Sequence, residues 1–316
     1  MSVDNVNSMR EKYIYFGGDL SYKKLILESI NNERLVETQT IGQADIVYWT
    51  YGTGPRLKTH LRVWISRNKK IIIHWIGTDV LIWSNKLTKY NNMRSYLHYR
   101  LWRWMIKHKQ RKGDLHNYAG STWLKSELSS IGISSEVLPI TSVSEELVHS
   151  YRRVNNRKYD FVSYVPLSRY DFYNGDLIIQ IAKIMPDKKF LIIHPDANDL
   201  KDVHNICPGN VRVYPKIDFY KMQKLLANAK CFLRFTKHDG LSLSVLEALL
   251  AEQQVFWTYQ FPDTHKVELS STPNDVLIQS LRTVVEEWEP NESGRSNVLK
   301  NYTISAMAER YEKVVF

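Results

Sequence analysis

The 316-residue chain has only two cysteines, Cys207 and Cys231, and no CxxC or paired His/Cys spacing. A disulfide framework and a thiolate metal site are therefore not expected. Cys207 reads as a loop thiol in CPGN and Cys231 as a buried thiol opening an apolar run. No apolar run approaches the roughly 18 residues needed to cross a bilayer. The polar start MSVDNVNSMREK lacks the apolar stretch of a secretory signal. The expectation is a protein of a reducing cytoplasm, soluble or lying on the membrane's inner face without crossing it. Internal repeats and low-complexity tracts are also missing. The most uneven absence is acidic. Between Asp79 and Asp114 there is no Asp or Glu, while Lys86, Lys89, Arg94, Arg100, Arg103, Lys107, Lys109, Arg111 and Lys112 all fall there. These nine nearly account for the formal charge of +10, so the basicity belongs to one local surface.

What is present describes an ordinary globular protein, with 43% hydrophobic and 24% charged residues. The length favours two domains of about 150 residues. Buried-type strands alternate with amphipathic helices. YIYFGGDL (13–20), ADIVYWTYG (44–52) and KKIIIHWIGTDV (69–80) read as strands that end in glycine turns. Residues 55–68 and a basic-aromatic stretch, 83–112, read as helices. STWLKSELSSIGI reads as a helix capped by Ser121 and stopped at Gly132. The polar run 142–158 is the best linker candidate, and after it YDFVSYVP restarts the alternation. The expected fold class is α/β, with two doubly wound Rossmann-like domains facing across a cleft. Their expected bounds are 1–145 and 146–300, with a C-terminal helix, 301–316, packing back on the first domain. Ligands of such sheets sit at the carboxyl ends of the strands.

One stretch carries chemistry in that setting. The strand KCFLRFT runs into HDGLSLSVLEALLAEQQV, where Asp239 and Gly240 precede an apolar helix and Glu247 lies inside it. A helix start offers unpaired amides and partial positive charge, a natural seat for phosphate, and Gly240 lets a ligand approach the backbone. Asp239 is placed to accept from a polyol beside that phosphate, and Glu247 to chelate a vicinal diol. A phosphate between two polyols outlines a nucleotide sugar. The competing reading makes Asp239 a plain helix cap and Glu247 a partly exposed helix residue.

FTKHDGLSLSVLEALLAEQQV resembles the E-x7-E element of the retaining family 4 glycosyltransferases of the GT-B fold, roughly P-S-x-x-E-G-F-G-L-x-x-L-E-A-x-x-x-G-x-P-V. Thr236 falls on the Ser, Asp239 on the first Glu, Gly240 on the Gly, Leu246-Glu247-Ala248 on L-E-A and Val255 on the last Val. Ser242 replaces the second Gly, and Glu252-Gln253-Gln254 replaces the usual G-x-P turn. The resemblance implies that Glu247 holds the ribose, Asp239 the transferred hexose, and the amides of Gly240, Leu241 and Ser242 the diphosphate. It also puts Ile217 at the base and Arg169 at the diphosphate. The family's Lys falls on Asn174, with Arg234 or Lys237 as replacement cations beside the same helix start. Gly17-Gly18 resembles the family's glycine loop. His74 and Asp79, with Thr78, lie in the element that often carries a His near the sugar, although His74 stands three residues before Gly77 rather than next to it. For His74 the competing role is a buried, hydrogen-bonded core histidine.

The basic-aromatic helix has two apolar sides on a helical wheel. Met93, Leu97, Leu101, Trp104 and Met105 are expected to dock on the first domain. Tyr99, Trp102 and Ile106, beside Arg103 and Lys107, are expected to form a membrane or acceptor surface facing anionic lipid. A helix buried on both sides is the alternative, and a nucleic-acid partner is disfavoured because no such module is visible. Together the features and the resemblance imply transfer of a hexose-type sugar from a nucleotide-sugar donor to a glycan or lipid-linked acceptor in surface polysaccharide synthesis, and the resemblance implies retention of configuration. No cofactor or metal is expected, in line with the missing Asp-x-Asp motif. The alternatives are an epimerase or inverting transferase of the same fold, or a non-catalytic basic membrane- or nucleic-acid-binding protein.

Overall fold

The computed structural model describes residues 11–18, 20–30, 33–50, 69–84, 93–140, 143–151, 154, 156–196 and 207–316. The helix expected at 55–68, and the part of the basic helix at 85–92 with Lys86 and Lys89, lie outside the described residues. The chain divides into one unit of Met1–Thr141 with Met307–Phe316 and a second of Ser142–Ala306. The boundaries expected at 145/146 and 300/301 thus fall at 141/142 and 306/307.

In the first unit, β1 (Lys12–Gly18), β2 (Leu35–Glu37), β3 (Ile46–Thr50), β4 (Lys70–Trp75), β5 (Leu115–Ala119) and β6 (Glu136–Val137) form one parallel sheet in the order β2-β1-β3-β4-β5-β6. Runs such as Ile71-Ile72-Ile73 can be apolar throughout because both sheet faces are covered. Successive side chains point to opposite faces. Ile71, Ile73 and Trp75 join Val47 and Trp49 on one face; Ile72 joins Ile14, Phe16, Ile46 and Tyr48 on the other. Helix α1 (Lys23–Ile30) covers the second face with Ile26 and Ile30, helped by Met307, Tyr311 and Val315 of the returning segment. Helix α2 (Thr78–Ser84) follows β4.

The first face is covered by α3 (Met93–Arg111) and α4 (Thr122–Ser130). Ser121 caps α4 by accepting from the Leu124 amide, and Gly132, at φ +75°, lets the chain turn out of it. Met105 docks on the first domain as expected, but the rest of α3 is turned the other way. Trp102 and Ile106 are 4% and 1% exposed and pack with Met105 against Ile71, Ile73 and Leu124, so they cannot form a membrane or acceptor surface. Met93, Leu97, Leu101 and Trp104 are instead 70%, 58%, 44% and 54% exposed. Arg103 and Lys107 are half-buried at the flank, and the Arg103 guanidinium donates to the Ile131 carbonyl. The reason is bulk and continuity: Trp102, Met105 and Ile106 reach the core that Trp75 and Leu128 leave open.

The second unit begins with Val143, paired with Thr303, and α5 (Glu145–Ser150), capped by Ser144. The expected linker is therefore partly helical. Strands β7 (Tyr159–Tyr164), β8 (Phe190–Ile193), β9 (Val211–Tyr214), β10 (Ala229–Arg234), β11 (Gln254–Trp257) and β12 (His265–Lys266) form a second parallel sheet, ordered β12-β11-β10-β7-β8-β9. Its helices are α6 (Gly175–Ile184), α7 (Phe219–Ala227), α8 (Leu243–Leu250), α9 (Asp275–Glu286) and α10 (Glu292–Asn301), while α11 (Ile304–Val315) belongs to the first unit from Met307 on. Cys231 is buried in β10 and Cys207 half-buried in a turn, both as thiols. The strand order reverses between β7 and β10, because β8 and β9 build outward on one side and β11 and β12 on the other. That reversal opens a crevice at the carboxyl ends of β7 and β10. No described helix is long and apolar enough to cross a membrane.

Candidate functional site

The two loops that leave the reversal point are clipped together. The Ser163 hydroxyl of β7 donates to the Leu233 carbonyl of β10 at 2.8 Å. Beyond the strands, the Lys237 amide donates to the Phe172 carbonyl and the Asn174 side-chain amide to the Phe235 carbonyl, both at 2.9 Å. Asn174 sits at φ 50°, a left-handed conformation that asparagine tolerates, and opens α6. Its side chain is thus a clip between loops. Arg169 projects, exposed, from the neighbouring 3-10 segment Leu167–Tyr173, with its guanidinium 4.1 Å from the Phe172 ring centroid. Asp196, after β8, anchors the start of that segment by accepting from the amides of Leu167 and Ser168 at 2.7 and 2.8 Å.

In the Asp239 loop, Arg234 ends β10 and turns its buried guanidinium onto the carboxylate. Its Nη2 and Nε lie 2.8 and 2.9 Å from Asp239 Oδ2, and the group stacks 4.7 Å over the Tyr173 ring. Burial opposes the Arg234 charge, but Asp239 and the Tyr173 hydroxyl outweigh it and hold its pKa above the ordinary value. Asp239 therefore does not act as a simple helix cap, and its amide donates to the Tyr259 hydroxyl at 3.2 Å. Helix α8 starts at Leu243 with Ser242 as N-cap. The Ser242 side chain caps no amide and lies 2.9 Å from Ser244 Oγ, which keeps it off the helix mouth. Gly240 and Leu241 are buried in the turn, and Lys237 is exposed beside it. Ile217 is half-buried between β9 and α7, next to Asp218, which caps α7 through the Lys221 amide at 2.8 Å.

Glu247 occupies the second turn of α8, in a helix buried from Val245 to Leu250. It is 3% exposed, and among the described residues its carboxylate has no hydrogen-bond or ion-pair partner. Burial raises its pKa to about 7. Two tyrosines feel its charge. The Tyr151 hydroxyl is buried with no partner among the described residues, and burial and then Glu247 push its pKa up. Tyr164, last residue of β7, is raised by burial first, then by Tyr173 and, more weakly, by Glu247 and Asp196, while Arg234 lowers it. The polar lining of the reversal point thus includes Tyr151, Tyr164, Tyr173 and Tyr259, none of which carries a motif signal in sequence.

No family profile matches the chain, and no curated protein matches it in sequence. Solved structures do. Sucrose-phosphate synthase from Thermosynechococcus elongatus superposes with a TM-score of 0.69 at 10% identity, covering 96% of this chain and 98% of that one. Anabaena HepE, solved in complex with UDP-glucose, gives 0.64 at 11% identity over 96% and 99%. AviGT4, a glycosyltransferase involved in avilamycin A biosynthesis, gives 0.59 at 11% identity over 96% of each chain. The fold is GT-B.

In the first Rossmann-like domain of this GT-B chain, the sequence candidates have local employment. A Cβ on Gly17 would come 2.2 Å from the Trp49 ring, so this glycine makes room for core packing. Gly18, at φ +83°, ends β1 with its Cα side pressed against the Thr50 carbonyl. His74 is fully buried, with Nδ1 2.7 Å from the Tyr48 hydroxyl and Nε2 2.6 Å from the Leu138 carbonyl. A carbonyl can only accept, so Nε2 carries the proton and Tyr48 donates to Nδ1. Burial lowers its pKa to about 4. Asp79 is also fully buried; its carboxylate accepts from the amides of Ile76, Gly77 and Val80, the Gly77 bond being 2.7 Å. That arrangement tightens the turn into α2. A cavity of about 640 Å³ lined by Gln254, Asp263, His265 and Asn291 lies at the amino end of β11, away from the strand ends that hold the candidate residues.

Proposed function

We propose that the chain is a glycosyltransferase that moves a hexose-type sugar from a nucleotide-sugar donor to a glycan or lipid-linked acceptor. The observation that carries this reading is Glu247, a carboxyl 3% exposed at the strand-order reversal to which no described residue donates. Leaving such a group unsatisfied is unfavourable, and a ligand diol is the kind of group that supplies the missing donors. In this reading Glu247 takes the ribose hydroxyls, with Tyr151 beside it, and the turn Gly240-Leu241-Ser242 and the start of α8 take the diphosphate. Ile217 lies against the base. Arg234 is neutralised by Asp239, so the cations for the leaving diphosphate are Arg169 and Lys237, in place of a divalent metal. Arg234 fixes the Asp239 carboxylate, which meets the transferred sugar. We assign retention of anomeric configuration and a role in surface polysaccharide synthesis at the cytoplasmic membrane face as parts of the same proposal.

The test is a thermal-shift screen against UDP-, GDP-, ADP- and TDP-sugars, since a bound donor stabilises the fold by mass action. One donor class is expected to raise the melting temperature, and Glu247→Gln to abolish that rise. Because a diol binds the ionised carboxylate, donor binding near pH 7 also releases a proton, readable from the buffer dependence of the binding enthalpy. A donor-induced shift that survives in Glu247→Gln sinks the assignment. Chelator-insensitive turnover and the anomer of the product test metal independence and retention. The Arg234–Asp239 pair and the Asn174 clip favour one second reading, a donor-binding protein without turnover. Sugar transfer or donor hydrolysis above the rate in water rules that reading out.

A further inference from the structure

Helix α3 turns to solvent a stripe that takes no part in the described core of its domain. At 100° per residue, Met93, Leu97, Leu101 and Trp104 fall within about 80° of arc, and all four are exposed. Exposed Arg100 borders the stripe; His108, stacked on Trp104 at 5.3 Å, and exposed Arg111 continue its line to the helix end. The opposite side is spent on the core through Trp102, Met105 and Ile106. Contiguous exposed apolar surface of this kind marks an interaction site more often than chance exposure does. The helix itself carries charge of one sign. The sequence has no acid between Asp79 and Asp114, and burial, then the neighbouring cations Arg103 and Arg111, lower the Lys107 pKa.

We infer that this stripe docks on an anionic lipid bilayer, with Met93, Leu97, Leu101 and Trp104 entering the boundary between headgroups and acyl chains and Arg100, Arg111 and Lys112 meeting lipid phosphates. A nucleic-acid backbone has no use for three aliphatic side chains in a row. The core of a protein interface is depleted in charge, whereas here cations stand beside the apolar line and at its end. A helix lying in the interface plane, apolar below and basic at its edge, with tryptophan at headgroup depth, satisfies both features. The inference rests on α3 alone and stands or falls separately from the donor reading, although it gives the peripheral location proposed above a specific surface.

The full chain is sedimented with phosphatidylcholine vesicles that contain either no anionic lipid or about one-third phosphatidylglycerol. Binding to the anionic vesicles is expected, roughly tenfold weaker on neutral ones and falling with salt. The double change Leu97→Glu with Leu101→Glu should weaken it by a further factor of roughly ten. The donor-induced thermal shift should stay intact, which also shows that the variant folds. Leu97→Ser with Leu101→Ser serves if the glutamates unfold it. Arg100→Glu with Arg111→Glu should erase the preference for anionic lipid, while Val276→Glu, on an exposed position of the other domain, should change nothing. Equal binding to both vesicle types, binding indifferent to the leucine changes, or no binding to anionic vesicles each overturns the inference. So does an oligonucleotide complex that needs the arginines but not the leucines.

Discussion

His74 in the first domain and Glu247 in the second are both buried titratable side chains, and their surroundings differ in one respect. Every polar atom of the imidazole has a partner, Tyr48 on one side and the Leu138 carbonyl on the other. No described residue donates to the Glu247 carboxylate, which is 3% exposed, and the hydroxyl of its neighbour Tyr151 is fully buried without a partner among the described residues. A satisfied buried group holds a scaffold together, as the nearby Tyr311 hydroxyl does by donating to the Pro139 carbonyl at 2.9 Å. An unsatisfied one weakens the empty protein and waits for a ligand. On the proposed reading, the contrast gives rigidity to the first of these cores and binding to the second.

The strongest test of that contrast removes the imidazole. His74→Ala leaves a cavity and two orphaned groups, and is expected to lower stability to chemical denaturation by about 4 kcal/mol. The affinity of the folded protein for donor should not change; if donor affinity falls while stability holds, His74 belongs to the site after all. The next tests use pH, with opposite signs. His74 ionises near 6.5 when unfolded and at about 4 when folded, so its stabilisation is present above 6.5 and is lost as pH falls to 4. At about 1.4 kcal/mol per pH unit this amounts to about 3 kcal/mol.

Glu247 runs the other way. Its carboxyl ionises near 4.5 when unfolded and at about 7 when folded, so its contribution is fully present below 4.5 and is lost as pH rises to 7. At pH 8 the empty Glu247→Gln variant should therefore be more stable than the parent by about 3 kcal/mol, with the difference vanishing toward pH 4. Equal stability of the two at pH 8 would show that the carboxylate is already satisfied. The smallest effect is expected at Tyr151. Tyr151→Phe should stabilise the empty protein by about 1 kcal/mol and reduce the donor-induced shift, both read in one melting series.

The alternation of buried strands with helices, and the glycine-bounded turn before LSVLEALL, were legible because parallel sheets demand runs such as KKIIIHW and helices demand spaced apolar residues. The burial of Glu247 was only half legible. A helix apolar on all sides implies a buried acid, yet spacing alone allowed a partly exposed one. The faces of α3 were not legible, since the helix carries two apolar sides and periodicity cannot say which meets the core. Nor was the Arg234–Asp239 pair, which depends on how a five-residue turn folds back over the strand end. Asp79 could have been read from its place one residue after the Gly-Thr turn, where a carboxylate folds back onto preceding amides. The tyrosines around Glu247 come from separate elements and share no spacing.

The path of the chain has a consequence for synthesis. Strand β1 packs in one cluster with Met307, Tyr311 and Val315, and Lys12 reaches the Phe316 carbonyl at 3.4 Å and its ring at 4.8 Å. The core of the first domain is therefore fully covered only when residues 307–316, which follow the second domain in the chain, are in place. Until then Ile14, Ile26 and Ile72 lack part of their cover, and a nascent chain stalled anywhere before residue 307 presents that open face to chaperones and proteases. These turns of helix thus seal the first domain, and a truncation before Met307 that spares every candidate ligand-binding residue should still destabilise it.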